Sequence, residues 1–391
     1  MIIKSDVLNT MRATFKSLFE RGFKITSTWK KVASEMKSTT ADNMYGWLGK
    51  FPKLRQWIGE RQIQHMKENG YKLTNQKYEA TVGVSRDDIE DDNLGIYEPI
   101  FEQMGQSAEE HIDENVYAMM LNGFTNLCYD GKPFFAADHP INSKEDGQGL
   151  NGTFSNVINP NVTDHEPWFL LDVSKVIKPF IYQNRKDAEF KQLFDSNNDH
   201  VFMLDEYLYG VDARRAFGYT FPQLAVGCRD TLDATNFNAA YQALLKMQTD
   251  GYRPLNCKPT LLVVGPENRA AAVNLLEKQL LAKGESNVNY HIVEYLVTPY
   301  LSIEIPTCTT PTITLSNNNS ASVGVTITGA AGEDIYYTLD GSTPTASSTK
   351  YTEALTLTNA GTITIKAVAM KVASHNSATA SKQAVVTEWE T

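Results

Sequence analysis

The run LGIYEPIFEQMGQSAEEHIDENVYAMMLNGF, residues 94–124, decides how the chain is organised. Ile96, Ile100, Met104, Ala108, Ile112, Val116, Met119 and Gly123 fall three or four positions apart, which sets them on one stripe of an α-helix. Over about thirty residues such a helix reaches ~40 Å. The acidic segment RDDIEDDN (86–93) leads into it and reads as a turn that complements the positive helix N-terminus. It lacks the glycine and the spacing of a calcium loop. On the polar side, EEHIDEN (109–115) brings His111 together with Glu110, Asp113 and Glu114, without an HExxH pattern. Those charges read as a solvated helix face and not as a metal set.

Upstream, Val7, Leu8, Met11, Phe15 and Leu18 keep helical spacing over residues 4–21, with Ser5 available as a cap. Next comes RQIQHMKENGYKLTNQKYEATVGVSR (61–86), which holds the tight-turn dipeptide Asn69-Gly70 and ends in alternating Tyr78, Ala80, Val82 and Val84. The spacing predicts a two-stranded ribbon with too few large apolar residues for a core of its own. An isolated hairpin is marginal in water, so the ribbon is expected to lie on something else, a neighbouring subunit being the natural candidate.

Downstream of the helix stands YDGKPFFAADHP (129–140), which gathers Asp130, Asp138 and His139 around a glycine turn and two phenylalanines. Asp138 beside His139 has the composition of half a catalytic pair. No nucleophile, metal set or oxyanion site elsewhere in the chain completes it. The alternative is a tight loop, confined by Asp130-Gly131, Pro133 and Pro140, in which Phe134 and Phe135 plug a core while Asp138 and His139 hydrogen-bond backbone. GQGLNG (147–152) matches GxGxxG formally, but SKED precedes it and TFSNV follows, so the strand–turn–helix context of a dinucleotide site is missing. Strand-like and helix-like segments then alternate through VFMLDEYLYGVDA, NFNAAYQALLKMQTD, PTLLVVGP and NYHIVEYLVTPYL, giving an α+β body with a compact domain roughly from 165 to 300.

The 391 residues carry a formal net charge of -10, which argues against a dedicated nucleic-acid binder. Cys128, Cys228, Cys257 and Cys308 are scattered without CxxC spacing and read as reduced thiols. Charges interrupt the apolar residues of the first twenty-three positions, which excludes a signal peptide or a membrane span there. A soluble protein made in a cytosol is expected.

Composition shifts near residue 306. Residues 307–391 hold 19 threonines in 85 positions, whereas residues 1–306 hold 17 in 306. The apolar residues of this tail come in short alternating runs such as SVGVTIT (322–328), DIYYTLD (334–340) and TITIKAVAM (362–370), separated by Asn317 to Asn319, Gly332, Asp340-Gly341 and Asn359 to Gly361. Short strands so punctuated predict a small antiparallel sandwich.

The run DGKPFFAADHP, with the long helix before it, resembles the major head subunit of Mu-like phages and prophages, the gpT family. The resemblance continues through PWFLLDVSKVIKPFIYQNRKDAEF (167–190), EYLYGVDARRAFGY (206–219), LNCKPTLLVVGPENRAAAVNLL (255–276) and NYHIVEYLVTPYL (289–301). It implies the tailed-phage capsid fold of the Hong Kong 97 type. It also implies an N-terminal arm over 1–55, an extended loop over 56–88 and a peripheral domain with its spine helix over 89–165. Residues 166–304 would form the axial domain and the return to the peripheral domain. After a linker at 305–311, residues 312–391 resemble the immunoglobulin-like module found at the C-terminus of chitobiases. That likeness rests on Tyr337 to Thr345, Ser348 and Tyr351.

The function so implied is a shell subunit, not an enzyme, with no catalytic, cofactor or metal residues. It assembles in a bacterial cytoplasm into hexamers and pentamers of an icosahedral virion shell enclosing DNA. The implied partners are portal, scaffold and cement proteins, loose contact with the genome, and glycan touched by exposed aromatics such as Tyr336, with no membrane. The rival reading is a cell-surface glycan-binding or glycosidase-associated protein. Its glycosidase form needs a catalytic barrel with paired carboxylates, for which the first 306 residues have no room.

Overall fold

The computed structural model describes residues 5–24, 27–46, 48, 71–91, 94–144, 149–193, 198–280, 284–302, 306–371, 374 and 376–388. The chain divides into two compact units, one of residues 1–158, 167–228 and 232–301, the other of 159–166, 229–231 and 302–391. The first unit opens with α1 (Ser5–Phe23), α2 (Trp29–Val32), β1 (Ala33–Lys37), β2 (Asp42–Met44), β3 (Lys72–Thr74), β4 (Gln76–Ser85), α3 (Arg86–Glu90) and α4 (Glu98–Leu121). There follow β5 (His139–Asn142), β6 (Asn151–Phe154), β7 (Val157–Ile158), β8 (Trp168–Leu171), β9 (Phe180–Leu193), α5 (Asp199–Leu204), β10 (Glu206–Tyr219) and β11 (Ala225–Cys228). It closes with α6 (Ala234–Leu245), β12 (Gln248–Thr249), β13 (Arg253–Pro254), β14 (Leu261–Val264), α7 (Arg269–Leu276) and β15 (Glu294–Val297).

These strands make two principal sheets. The first has the order β1-β9-β10-β4, with β1 parallel to β9 and the other pairs antiparallel. The second has the order β15-β14-β8-β11-β7. The two differ in sequence for a physical reason. Strand β10 alternates half-buried and buried positions, as a sheet covered on one face requires. Strands β8, β11 and β14 are buried at every position because both faces are covered. Trp168 and Leu170 point into a core with Phe237, Ala240 and Leu244 of α6, while Phe169 and Leu171 join Ile112, Val116 and Met120 of α4.

Helix α4 serves both sheets. Its Phe101 and Met104 share a core with Phe15 and Phe19 of α1 and with Val84, Phe190 and Tyr209 of the first sheet. Phe15 stacks on Phe101 at 4.1 Å and meets Tyr209 edge-on at 5.2 Å. Its second half lies under the second sheet. Two glycines let α1 and α4 cross closely: a Cβ on Gly105 would stand 2.1 Å from the Phe19 carbonyl oxygen, and one on Gly22 1.9 Å from that of Glu102. Arg21 clasps Glu102 beside the crossing, its Nε donating to Oε1 at 2.7 Å.

The helix departs from the expected stripe at its start. Ile96 lies in a 3₁₀ turn ahead of α4 and is 54% exposed, Ile100 is 42% exposed, and Phe101 fills the core instead. The helix spans 24 residues, about 36 Å. The acidic segment forms its own short helix, α3, with Asp87 and Asp88 in its first turn, so the dipole it complements is that of α3. Nor is EEHIDEN wholly a solvated face, because Glu109 and Asp113 are buried. Asp113 accepts hydrogen bonds from the Thr28 and Trp29 N–H groups, satisfying the N-terminus of α2, and Glu109 accepts from Ser27 Oγ and Trp29 Nε1.

The expected ribbon appears in part. Strand β4 covers its second half with Val84 buried, but it pairs with β10 of its own chain, Ser85 opposite Glu206 and Gln76 opposite Arg215. Asn69-Gly70 and the first strand of the expected hairpin lie outside the described residues. Nor do the strands between 165 and 300 keep to one sheet: β9 and β10 leave it to pair with β1 and β4.

The second unit is a sandwich. One sheet holds β16 (Thr312–Ser316), β17 (Val323–Thr328) and β20 (Leu355–Leu357); the other holds β19 (Thr349–Lys350), β18 (Asp334–Thr338), β21 (Gly361–Met370) and β22 (Ala380–Val386). Val323, Val325, Ile327, Ile365 and Val386 fill the space between them. Asn317, Asn319, Gly332 and Gly341 take positive φ at the turns the sequence marked. Cys308 of the expected linker is buried within this unit, and the exposed Thr309 donates its N–H to Glu333. Tyr336, expected as an exposed aromatic, is half-buried.

If the glycine crossing limits the approach of α1 to α4, Gly105→Ala should lower unfolding stability by about 1–3 kcal/mol. Gly95→Ala, whose Cβ would meet nothing within 4 Å, should stay within about 0.5 kcal/mol of the parent. Urea unfolding of the unassembled subunit measures both, and equal effects would remove the steric explanation.

Candidate functional site

Helix α4 ends in a 3₁₀ turn, Asn122–Phe124, and the chain folds straight back on it. Phe135 N–H donates to the Gly123 carbonyl at 2.8 Å and Phe134 N–H to that of Asn126 at 3.1 Å. Gly131 takes φ +80° at the tip, as the Asp-Gly dipeptide required. Both phenylalanines are buried: Phe134 stacks on Tyr219 at 4.6 Å and Phe135 lies against Phe169 at 5.2 Å. The Tyr219 hydroxyl donates to the Met119 carbonyl at 2.7 Å and so satisfies one of the last carbonyls of α4.

The polar residues of this loop pair differently from the sequence expectation. His139 is fully buried, and its partner is Asp130, with Nδ1 2.7 Å from Oδ2. Asp138 is exposed and takes the Lys132 ammonium instead. The neighbours in sequence diverge because His139 begins strand β5, where successive side chains point to opposite sides. The other His139 nitrogen, Nε2, faces the Phe134 carbonyl and Asn156 Oδ1, each at 3.2 Å. Asn156 was not singled out in the sequence, yet it ties three segments: it accepts from Ala136 N–H and donates to the carbonyls of Phe134 and Pro222. Nothing local in FSNVINP signals that role, since its partners stand 20 to 66 residues away.

This environment does not suit chemistry. Burial works against the Asp130 carboxylate, yet hydrogen bonds from His139 and Cys128 and the charge of His139 hold it below the ordinary carboxylate value. Burial pushes the Cys128 thiol well up, and the adjacent Asp130 pushes it further, so the group stays a thiol that donates to Asp130 Oδ1 at 3.0 Å. Such a thiol is neither nucleophile nor good metal ligand. Cys128, Asp130 and His139 do bring one ligand atom each within 4.8 Å of one another, the geometry a metal would use. Those atoms are already committed within the set, Cys128 Sγ to Asp130 Oδ1 and His139 Nδ1 to Asp130 Oδ2. Histidine clamped between oxygens on both sides has no free lone pair with which to take a substrate proton.

The remaining candidates resolve similarly. GQGLNG runs into β6, which pairs with β5, where a dinucleotide site would need a helix, and residues 145–148 lie outside the described residues. His111 is half-buried, stands edge-on to Tyr78 at 4.3 Å and is held neutral, its pKa lowered to about 4 by burial and then by the charge of Arg215. Cys128, Cys228, Cys257 and Cys308 are all buried. Among the described residues no helix is long and apolar enough to cross a membrane.

Comparison with known proteins places the first unit. Residues 8–301 match the model of the Mu-like prophage major head subunit gpT, and residues 325–384 match that of an Fn3-associated domain. The major capsid protein of Escherichia phage Mu is 39% identical over 305 residues, covering 77% of this chain and 100% of that protein. The Mu-like prophage FluMu major head subunit of Haemophilus influenzae is 39% identical over 284 residues, 72% of this chain and 92% of that one. Among solved structures, the procapsid of bacteriophage JBD30 superposes with a TM-score of 0.70 at 43% identity, over 76% of this chain and 100% of that one. Its capsid gives 0.61 at 32% identity, over 77% and 100%.

If the loop is structural, His139→Ala and Asp130→Ala should each cost about 1–3 kcal/mol in urea unfolding, with the double variant below their sum, while Asp138→Ala stays within about 0.5 kcal/mol. A hydrolase activity lost in His139→Ala alone would contradict it. The pH dependence separates two groups. The unfolded chain protonates His111 near 6.5 and the folded chain only near 4, so its contribution is whole above that interval and is lost as pH falls through it. Asp130, held below 3.8 when folded, keeps its contribution above that value and loses it only on further acidification. His111→Asn should flatten the upper interval of the stability profile and Asp130→Asn the lower, as read by thermal unfolding across pH.

Proposed function

The chain belongs to the Mu-like prophage major head subunit gpT family, and from that premise we propose how its geometry builds a shell. It is a major capsid protein of a tailed phage, with a Hong Kong 97 type fold and a structural role, not an enzymatic one. What carries this conclusion is the end-to-end correspondence with the phage Mu major capsid protein.

In the proposed division, residues 1–55 act as an N-terminal arm anchored by the buried Phe15 and Phe19 of α1. Residues 56–88 act as the extended loop. Of these, 56–70 lie outside the described residues, and β4 sits at the edge of its sheet, where a loop can depart. Residues 89–165 form the peripheral domain, with α4 as its spine, and residues 166–304 the axial domain and the return. The share α4 takes in both cores supports this assignment, because a helix common to two cores transmits load between them. The subunits close into hexamers and pentamers of an icosahedral shell, assembled in the bacterial cytoplasm with portal, scaffold and cement proteins.

The net charge of -10 favours loose contact with packaged DNA, since each phosphate contact adds salt-dependent affinity. Beyond a linker at 305–311, the module over 312–391 projects outward. From Glu304 onward the chain carries seven carboxylates against Lys350, Lys366, Lys371 and Lys382, a poor composition for a domain immersed in DNA. An outward module is also placed to touch glycan through its hydroxyl-rich strands. We assign no catalytic, cofactor or metal residues, and read the Cys128–Asp130–His139 cluster as a lock on the loop.

Micrographs of the chain co-expressed with its scaffold should show closed particles. Truncation after Leu301 should leave closed particles of the same shell diameter with a smoother exterior. A full-length protein that forms only a small oligomer would overturn the shell reading; truncated subunits that cannot close, or a module seen inside, would overturn the outward accessory role.

A further inference from the structure

The first half of α4 and the β4 edge of the first sheet enclose a cleft of about 350 Å³. Small side chains at Ala80, Ala108, Ala188 and Ala213 leave this space open, and Ile100 lines it, which explains why that residue is exposed although it lies on the expected core stripe. Two side chains that line the same walls each keep one buried nitrogen without a partner among the described residues. Arg215 is 2% exposed. Its Nη1 donates to the Ala108 carbonyl at 3.2 Å and its guanidinium lies 5.9 Å from the Tyr182 ring centre, but Nε–H has no acceptor. Among the described residues no carboxylate lies within ion-pair distance of it. Glu79, at the cleft, is exposed and accepts from Thr81 instead.

His111 supplies the second group. Asn115 Nδ2 donates to the His111 carbonyl at 2.7 Å, which fixes the amide, and the same nitrogen meets His111 Nε2 at 3.1 Å. Nε2 therefore accepts, and the ring proton sits on Nδ1, which is buried and without a partner. A buried guanidinium without a counter-charge is strongly destabilising, and an unmet buried donor adds to that. An anion whose oxygens reached both groups would answer both deficits. Aliphatic walls additionally select one carried on a methylene stem.

We propose that this cleft is a socket for the carboxylate side chain of an Asp or Glu from a second copy of this chain. The partner follows from the setting: subunits of a shell meet copies of themselves, and each copy carries 46 acidic against 36 basic residues. The apolar walls take the stem, and Arg215 Nε–H and His111 Nδ1–H take the oxygens. Because the fork of Arg suits a carboxylate, the contact also fixes the register of one subunit on the next. This inference rests on the shell reading above.

The test keeps the two apart. Failure of the unmodified chain to assemble would sink the shell reading before any variant is made. Given assembly, Arg215→Met keeps a stem of similar bulk and removes the buried charge. It should leave the urea midpoint of the unassembled subunit unchanged or raised, while the assembled fraction in sedimentation falls at least about tenfold. Unaltered assembly, or a midpoint that falls in step with it, would overturn the proposal. A second measurement does not depend on that variant folding. Ser107→Cys, at the cleft wall, is labelled with a photo-crosslinker in particles grown from mixed ¹⁴N and ¹⁵N subunits. Crosslinks joining light and heavy chains through a peptide bearing Asp or Glu are expected; crosslinks confined to single chains, or running to DNA, would refute it.

Discussion

Sharing α4 between two hydrophobic cores is the constraint on which the rest of the first unit depends. One end of the helix is held by Phe15, Phe19 and Tyr209, the other by Phe134, Phe169 and Leu171. A side chain displaced at either end leaves a void in a core packed as densely as an organic crystal, so the rotation of the helix about its axis is fixed at both ends. Midway, Asp113 and Glu109 are buried, and they persist there because the N–H groups of Thr28 and Trp29, the Trp29 indole and the Ser27 hydroxyl satisfy them. Those bonds also fix where β1 enters the first sheet, since α2 runs directly into it. For a subunit that must hold its shape while neighbours pull on it, a rod seated in two cores is a stiffer element than two separately packed helices.

What the sequence displayed and what it hid divide along contact distance. The helix, the fully apolar tetrads of β8 and β14, and the threonine-rich sandwich announce themselves because burial repeats with the local backbone period. The same period misled at Ile100, whose spacing is that of a core residue but whose neighbours across the cleft are alanines too short to cover it. Asp138 next to His139 looked like a pair, yet strand alternation turns them apart and hands the histidine to Asp130, nine residues upstream. The helix's polar side looked solvated because nothing within its own turns shows that α2 will place bare N–H groups against Asp113, 85 residues from Thr28. Asn156 and Arg215 left no local mark at all.

The second unit obeys simpler rules. The buried residues of its core cluster are aliphatic or alanine, and threonine fills many of the outward positions of β16 and β17, where a branched hydroxyl side chain suits the pleat and stays wet. Positive φ at Asn317, Asn319, Gly332 and Gly341 sets the strand connections without help from the first unit. A module with its own core and its own turns can be attached to a shell protein without altering how that protein folds.

The polar interior of the first unit then distinguishes two kinds of site. Around His139, each ring nitrogen meets an oxygen of the same chain, and the thiol and carboxylate beside it are satisfied as well, so the subunit folds that cluster to completion alone. Around Arg215, the chain buries the guanidinium Nε–H and the His111 ring N–H and offers neither an acceptor from the described residues. Folding tolerates such a deficit only when it is small beside the surrounding packing or when something else removes it. In an enzyme, the usual remedy is a substrate. In a shell protein the most abundant molecule with oxygens to spare is another copy of the same subunit, so the unmet donors mark where a folded chain still needs its neighbour.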